Sequence, residues 1–74
     1  MLNITSLLQT KLMSFKFAAR TASRDALDIL YLVESHTTAI DASKLDQTQV
    51  DYFLENAELK AKAREAVQRV LKFS

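Results

Sequence analysis

The sequence predicts an all-α fold, a compact bundle of about four helices, and three observations carry that expectation. Apolar residues recur at helical spacing through most of the 74 positions. Hydrophobic residues make up 49% of the chain, enough for a core, yet no run approaches the roughly 18 apolar residues of a membrane span. Glycine and proline are both absent, where average usage would give about five and about four. Without them, sheet-rich folds, the P-loop and the dinucleotide fingerprint are all disfavoured. We therefore expect one helical domain over residues 1–74, either a helical piece of a larger protein or an engineered chain.

The first helix is expected over about residues 5–20, capped by Asn3 or Thr5. Ile4, Leu7, Leu8, Leu12, Phe15, Ala18 and Ala19 share one face of it, and Lys11 falls near the middle of that stripe. Met13 and Phe17 form a second, smaller apolar patch on the opposite face and imply a further contact. Ser23 is the expected cap of a second helix over about 24–36, with Asp25 in its first turn facing the positive helix end. Ala26, Ile29, Leu30 and Val33 make its stripe, widened by Leu27 and Tyr31 on one side and Leu32 on the other. So broad an apolar surface places this helix at the centre of the bundle.

Residues 37–45 have turn chemistry at Thr37, Thr38, Asp41 and Ser43, with Ile40 and Leu45 pinning them to the core. Asp46 and Gln49 read as a capping box opening a third helix over about 47–55, which buries Val50, Phe53 and Leu54. Asn56 ends it and caps a fourth, about 57–72, lined by Leu59, Ala63, Ala66, Val67, Val70 and Leu71. A single unbroken helix over 47–72 is the rival arrangement.

The net charge of +1 conceals three blocks. Residues 1–24 contain Lys11, Lys16, Arg20 and Arg24 and no acid; residues 25–58 contain eight acids against Lys44; residues 59–74 are basic again. Attraction between basic and acidic helices within the bundle accounts for this pattern, and so near-neutral a chain lacks the field of a nucleic-acid binder. With no cysteine and one histidine, neither disulfides nor a structural zinc can staple the fold, which leaves regular packing or oligomerisation. No cofactor, metal or membrane partner is expected. A cytoplasmic location fits, with a mitochondrial one as the alternative if the basic, amphipathic residues 1–24 act as a presequence.

Few residues suggest chemistry. His36 is the only imidazole; lying at a helix end, it reads as a partner of the last carbonyls rather than a catalyst. Asp25 and Asp28 are i, i+3 neighbours, but a hard cation needs more converging ligands. Arg24 and Asp28, at i, i+4, read as a surface ion pair. The cluster of Lys11, Arg20, Arg24, Asp25 and Asp28 is the one constellation worth a sharper reading. An ammonium within an apolar seam needs an acid opposite it, so Lys11 should meet Asp25 or Asp28 and fix the register of the first two helices. The functional alternative is the border of a phosphate or nucleotide site.

Leu7-Leu8-Gln9-Thr10-Lys11-Leu12, followed by Ser23-Arg24-Asp25-Ala26-Leu27-Asp28-Ile29-Leu30-Tyr31-Leu32, resembles the helical C-terminal part of nucleotidyltransferase-fold proteins of the AbiEii-like toxin type. Val50-Asp51-Tyr52-Phe53-Leu54 fits the trailing helices of that family in a general way. The resemblance implies that Lys11 and Asp25 lie near a nucleotide site, with Asp28 supporting them; Arg24 belongs to the candidate phosphate or nucleotide site through the charged cluster. That family's catalytic carboxylates and Gly-Ser turn lie on an N-terminal sheet that this sequence lacks. The resemblance therefore implies a detached helical remnant that performs no catalysis. A surface that once packed on a catalytic domain would be left bare, making Met13, Phe17, Leu27 and Tyr31 dimer contacts. The expected function is a non-catalytic interaction domain, associating as a homodimer or with another protein. Its alternative is a nucleotide- or phosphate-binding accessory module that acts with a catalytic partner in trans.

Overall fold

A chain without glycine must turn using ordinary backbone angles, and this one does so with short 3-10 turns. The computed structural model describes residues 3–72, and none of them has a positive φ. Four α-helices form, with no strand among the described residues: α1 (Ile4–Phe17), α2 (Ala22–Ser35), α3 (Gln47–Asn56) and α4 (Ala61–Leu71). Single 3-10 turns at Ala19–Thr21, Thr37–Ala39 and Ala42–Lys44 join the first three. The Cα radius of gyration is 10.9 Å, close to the roughly 11 Å of a well-packed chain of this length.

Side-chain caps open α1 and α3, whereas α2 and α4 begin without one. Asn3 accepts a 2.8 Å hydrogen bond from the Thr5 amide and opens α1. The helix stops at Phe17, three residues short of the expected Arg20, because Ala18 leaves helical geometry at φ −118°, ψ 81°. The second helix starts at Ala22, so Thr21 and not Ser23 stands at its cap position. Its hydroxyl makes no cap bond; it donates instead to the Asp25 carboxylate at 3.0 Å.

Asp46 caps α3 by accepting from the Thr48 amide, but the expected return bond from Gln49 is not made. Gln9 of α1 takes that place: its Oε1 accepts from the Asp46 amide at 3.0 Å while its Nε2 donates to Gln49 Oε1 at 2.6 Å. A tertiary contact thus replaces the local half of a capping box. Gln49 is consequently one of three buried polar side chains, with Thr5 and Asp25. No buried side-chain nitrogen or oxygen among the described residues lacks a partner.

Residues 47–72 form two helices, which overturns the unbroken alternative. The fourth begins at Ala61 rather than Ala57, and Asn56 does not cap it. Asn56 instead closes α3, its amide donating back to the Tyr52 carbonyl. Ala57 turns extended and is buried, and the Arg64 guanidinium reaches back to the Leu54 carbonyl at 2.7 Å. That bond satisfies one of the carbonyls left free at the end of α3. Lys60 occupies the cap position of α4 and supplies no side-chain bond to it. Replacing it should therefore stabilise the protein: we expect Lys60→Asp to add about 1 kcal/mol, seen as a raised thermal midpoint.

The helices enclose one core, in which Leu8, Leu12, Ile29, Val33, Val50, Phe53, Val67 and Leu71 are essentially inaccessible to solvent. The Phe15 ring meets Phe53 edge-on at 5.0 Å and Tyr52 at 5.9 Å. Expectation placed α2 at the centre, but Leu27 and Tyr31 face outward and do not widen its buried stripe. The helix packs on α1 and α4, and α3 packs on the same two helices, so α2 is no more central than its neighbours. Ile40 and Leu45 do pin the connecting segment to the core. Thr5 fastens it further, accepting from the Asp41 amide at 2.9 Å and approaching the Ala39 carbonyl at 3.3 Å. Within that segment the Ser43 hydroxyl and amide both donate to Asp41, holding its carboxyl below the ordinary aspartate range.

Candidate functional site

The charged cluster is built by the antiparallel pairing of α1 and α2. Two contacts fix the register, stepping three residues forward on one helix and three back on the other. Lys11 Nζ lies 3.1 Å from Asp28 Oδ2, and Ser14 Oγ donates to Asp25 Oδ2 at 2.7 Å. The lysine thus meets one of its two expected partners, but not inside an oily seam. Side-chain exposures of 32% for Lys11 and 43% for Asp28 make this a surface pair. The buried stripe of α1 is rotated away from Lys11 because α3 covers the opposite flank, where Gln9 contacts Gln49.

Asp25 is the buried acid, at 4% exposure, and its charge is met by hydroxyls rather than by the lysine. Ser14 and Thr21 both donate to the same carboxylate oxygen, at 2.7 and 3.0 Å. Its place in the first turn of α2 adds the favourable field of the helix end. Sequence reasoning overlooked both hydroxyls; a Ser one turn beyond Lys11 and a Thr four residues before Asp25 were the available signals. Arg24 and Arg20 are exposed, and Arg24 does not pair with Asp28, which Lys11 occupies. The other ion pair among the described residues joins Lys72 to Asp51. Both pairs link a basic block to the acidic one, as the charge pattern anticipated. His36 lies at the end of α2 with its ring edge-on to Tyr31, 6.3 Å between centroids, instead of on the carbonyls. No group of three potential metal ligands converges among the described residues.

The exposed apolar residues form the second candidate. Met13, Phe17, Leu27 and Tyr31 are 47, 71, 68 and 64% exposed, and they are the exposed large hydrophobic side chains among the described residues. Each pair is one turn apart on its own helix, on the side away from the core. One of them, Leu27, also lines a feature that sequence reasoning missed, an open cleft of about 620 Å³. Ala22, Ala26, Leu27 and Leu30 of α2 form one wall, Tyr52 and Ala57 face them, and Phe15 contributes from α1. Its polar members are Lys16, Ser23, Asn56 and Glu58. The Lys16 ammonium lies 5.7 Å from the Tyr52 ring centre and 5.5 Å from that of Phe17. The cleft is assembled from α1, α2 and the end of α3, three segments whose spacing in sequence gives no hint of their meeting.

No helix among the described residues is long and apolar enough to cross a membrane. The face of residues 3–24 that a presequence would use is packed in the core through Leu8, Leu12 and Phe15; Met1 and Leu2 lie outside the described residues. No family model matches the chain, and neither a curated protein nor a solved structure is significantly similar to it.

Proposed function

We propose that this chain is a non-catalytic helical interaction domain that associates with a second copy of itself. The observation that carries this reading is the exposure of Met13, Phe17, Leu27 and Tyr31, where the other large apolar side chains among the described residues are buried or partly buried. Four such residues on two adjacent helices exceed the scattered apolar exposure of an ordinary surface. The composition supports the same reading, since a short stretch of chain without cysteine cannot be stapled by disulfides and gains from oligomerisation.

The phosphate-binding alternative finds less support in the site. Lys11 is engaged by Asp28, and Asp25 is enclosed and held by two hydroxyls. Sedimentation velocity across a micromolar concentration series tests the proposal. A species of about twice 8.4 kDa is expected, with Leu27→Ser/Tyr31→Ser weakening association by at least about tenfold. A monomer at every concentration overturns it. Amide shifts at Lys11 and Asp25 on adding ATP with Mg²⁺ would put the accessory-module reading in its place.

A further inference from the structure

The self-association proposed above, on which this inference rests, draws on exposed residues of α1 and α2 without saying how two copies fit together. The cleft beside α2, which Leu27 lines, bears on that. Its walls are apolar, formed by Ala22, Ala26, Leu30 and Tyr52, and its charged members are one cation and one anion. Lys16 and Glu58 each lack an ion-pair partner among the described residues, although ion pairs form elsewhere between the basic and acidic blocks. A homodimeric interface about a two-fold axis must be self-complementary, so residue i meets residue j and j meets i. A cleft bearing one charge of each sign meets that requirement with a second copy of itself. A uniformly acidic or basic partner would satisfy one of the two charges and oppose the other.

Phe17 supplies the apolar counterpart. It is 71% exposed, and the Lys16 ammonium beside it also approaches Tyr52 on the cleft wall. The ring is not part of the lining, but it lies 5.5 Å from the ammonium of Lys16, which is, and so stands next to the cation that would be drawn to an opposing carboxylate. Leu27, 68% exposed, lies on the opposite wall. A single copy leaves all three features in water; two copies facing each other bury them together.

We propose that the cleft between α2 and the end of α3 is the seat of a two-fold homodimer, in which Lys16 of each copy faces Glu58 of the other and Phe17 of each enters the other's cleft. The occupant is thus a second copy of this chain, held by an apolar centre with a reciprocal charged rim.

A charge exchange tests the register. In a Lys16→Glu homodimer both contacts become acid against acid, and in a Glu58→Lys homodimer both become base against base. We expect each variant to dimerise about tenfold more weakly, or more, at low ionic strength. An equimolar mixture of the two should recover wild-type association as a heterodimer, because both of its contacts then pair opposite charges. Ser23→Trp, which fills the cleft from an exposed position, should give a folded monomer by circular dichroism and light scattering. A dimeric wild type whose two charge variants associate undiminished, or whose mixture gains nothing, overturns the cleft while leaving self-association in place. Retention of the dimer in Ser23→Trp does the same. A wild type that stays monomeric removes both proposals at once.

Discussion

Phe53→Ala should destabilise the protein by about 3–5 kcal/mol, the largest loss expected of any single truncation in the core. Seventy-four residues commonly supply only about 4–11 kcal/mol in total, so the variant should lose between roughly a quarter and all of its stability, read as a much lower urea midpoint. The reason lies in where the ring sits. Phe53 is wholly buried, meets Phe15 edge-on at 5.0 Å, and belongs to the helix that α1 and α4 both contact. Truncation loses the transfer energy of the ring and leaves a void that three rigid helices cannot close together. Phe17→Ala is the matched comparison, because it removes the same ring from a 71% exposed position. It should change monomer stability by less than about 0.5 kcal/mol. Urea unfolding at a fixed, low protein concentration measures both without a contribution from association. Similar costs for the two substitutions would mean that the core is not centred on Phe53.

The contrast between those phenylalanines was partly written in the sequence. Helical spacing separated Leu8, Leu12 and Phe15 from Met13 and Phe17 correctly, because a 3.6-residue period leaves little choice of face. The stripes of α3 and α4 followed the same rule at Val50, Phe53, Val67 and Leu71. Helix ends were harder to place. Nothing local stops the helical pattern between Asn56 and Ala61; the break is stabilised by Arg64 reaching the Leu54 carbonyl, a bond between two helices. Gln49 likewise resembled the second half of a capping box until Gln9 of another helix displaced it. Lys11 shows the same limit within the candidate site. Its place on the wheel was read correctly, but which neighbour covers which flank of α1 decides whether that place is buried, and a single helix does not contain that information. The cleft lay furthest from view, since it exists only where three separate segments approach one another.

The most consequential charge is therefore Asp25, and Asp25→Ala should cost about 2–3 kcal/mol while Lys11→Met costs less than about 1. Each hydrogen bond to an ionised group contributes about 1.5–3 kcal/mol, and Asp25 accepts two. Part of that is returned on substitution because Ser14 is only half-buried and Thr21 is exposed, so both hydroxyls regain water. The carboxylate's interaction with the N-terminal end of α2 is lost as well, worth about 0.3–1 kcal/mol. Lys11→Met, by contrast, removes a half-exposed pair that water and salt already weaken, and its aliphatic replacement retains the packing of the stem. Added salt should shrink the small effect of Lys11→Met and leave that of Asp25→Ala nearly unchanged, because burial shields Asp25 from mobile ions. The coupling can be isolated with Ser14→Ala: the Ser14→Ala/Asp25→Ala double variant should cost less than the sum of the two single changes by about 1 kcal/mol or more. If Lys11→Met proved the costlier substitution, the α1–α2 register would rest on the ammonium after all, and the hydroxyls around Asp25 would be incidental to it.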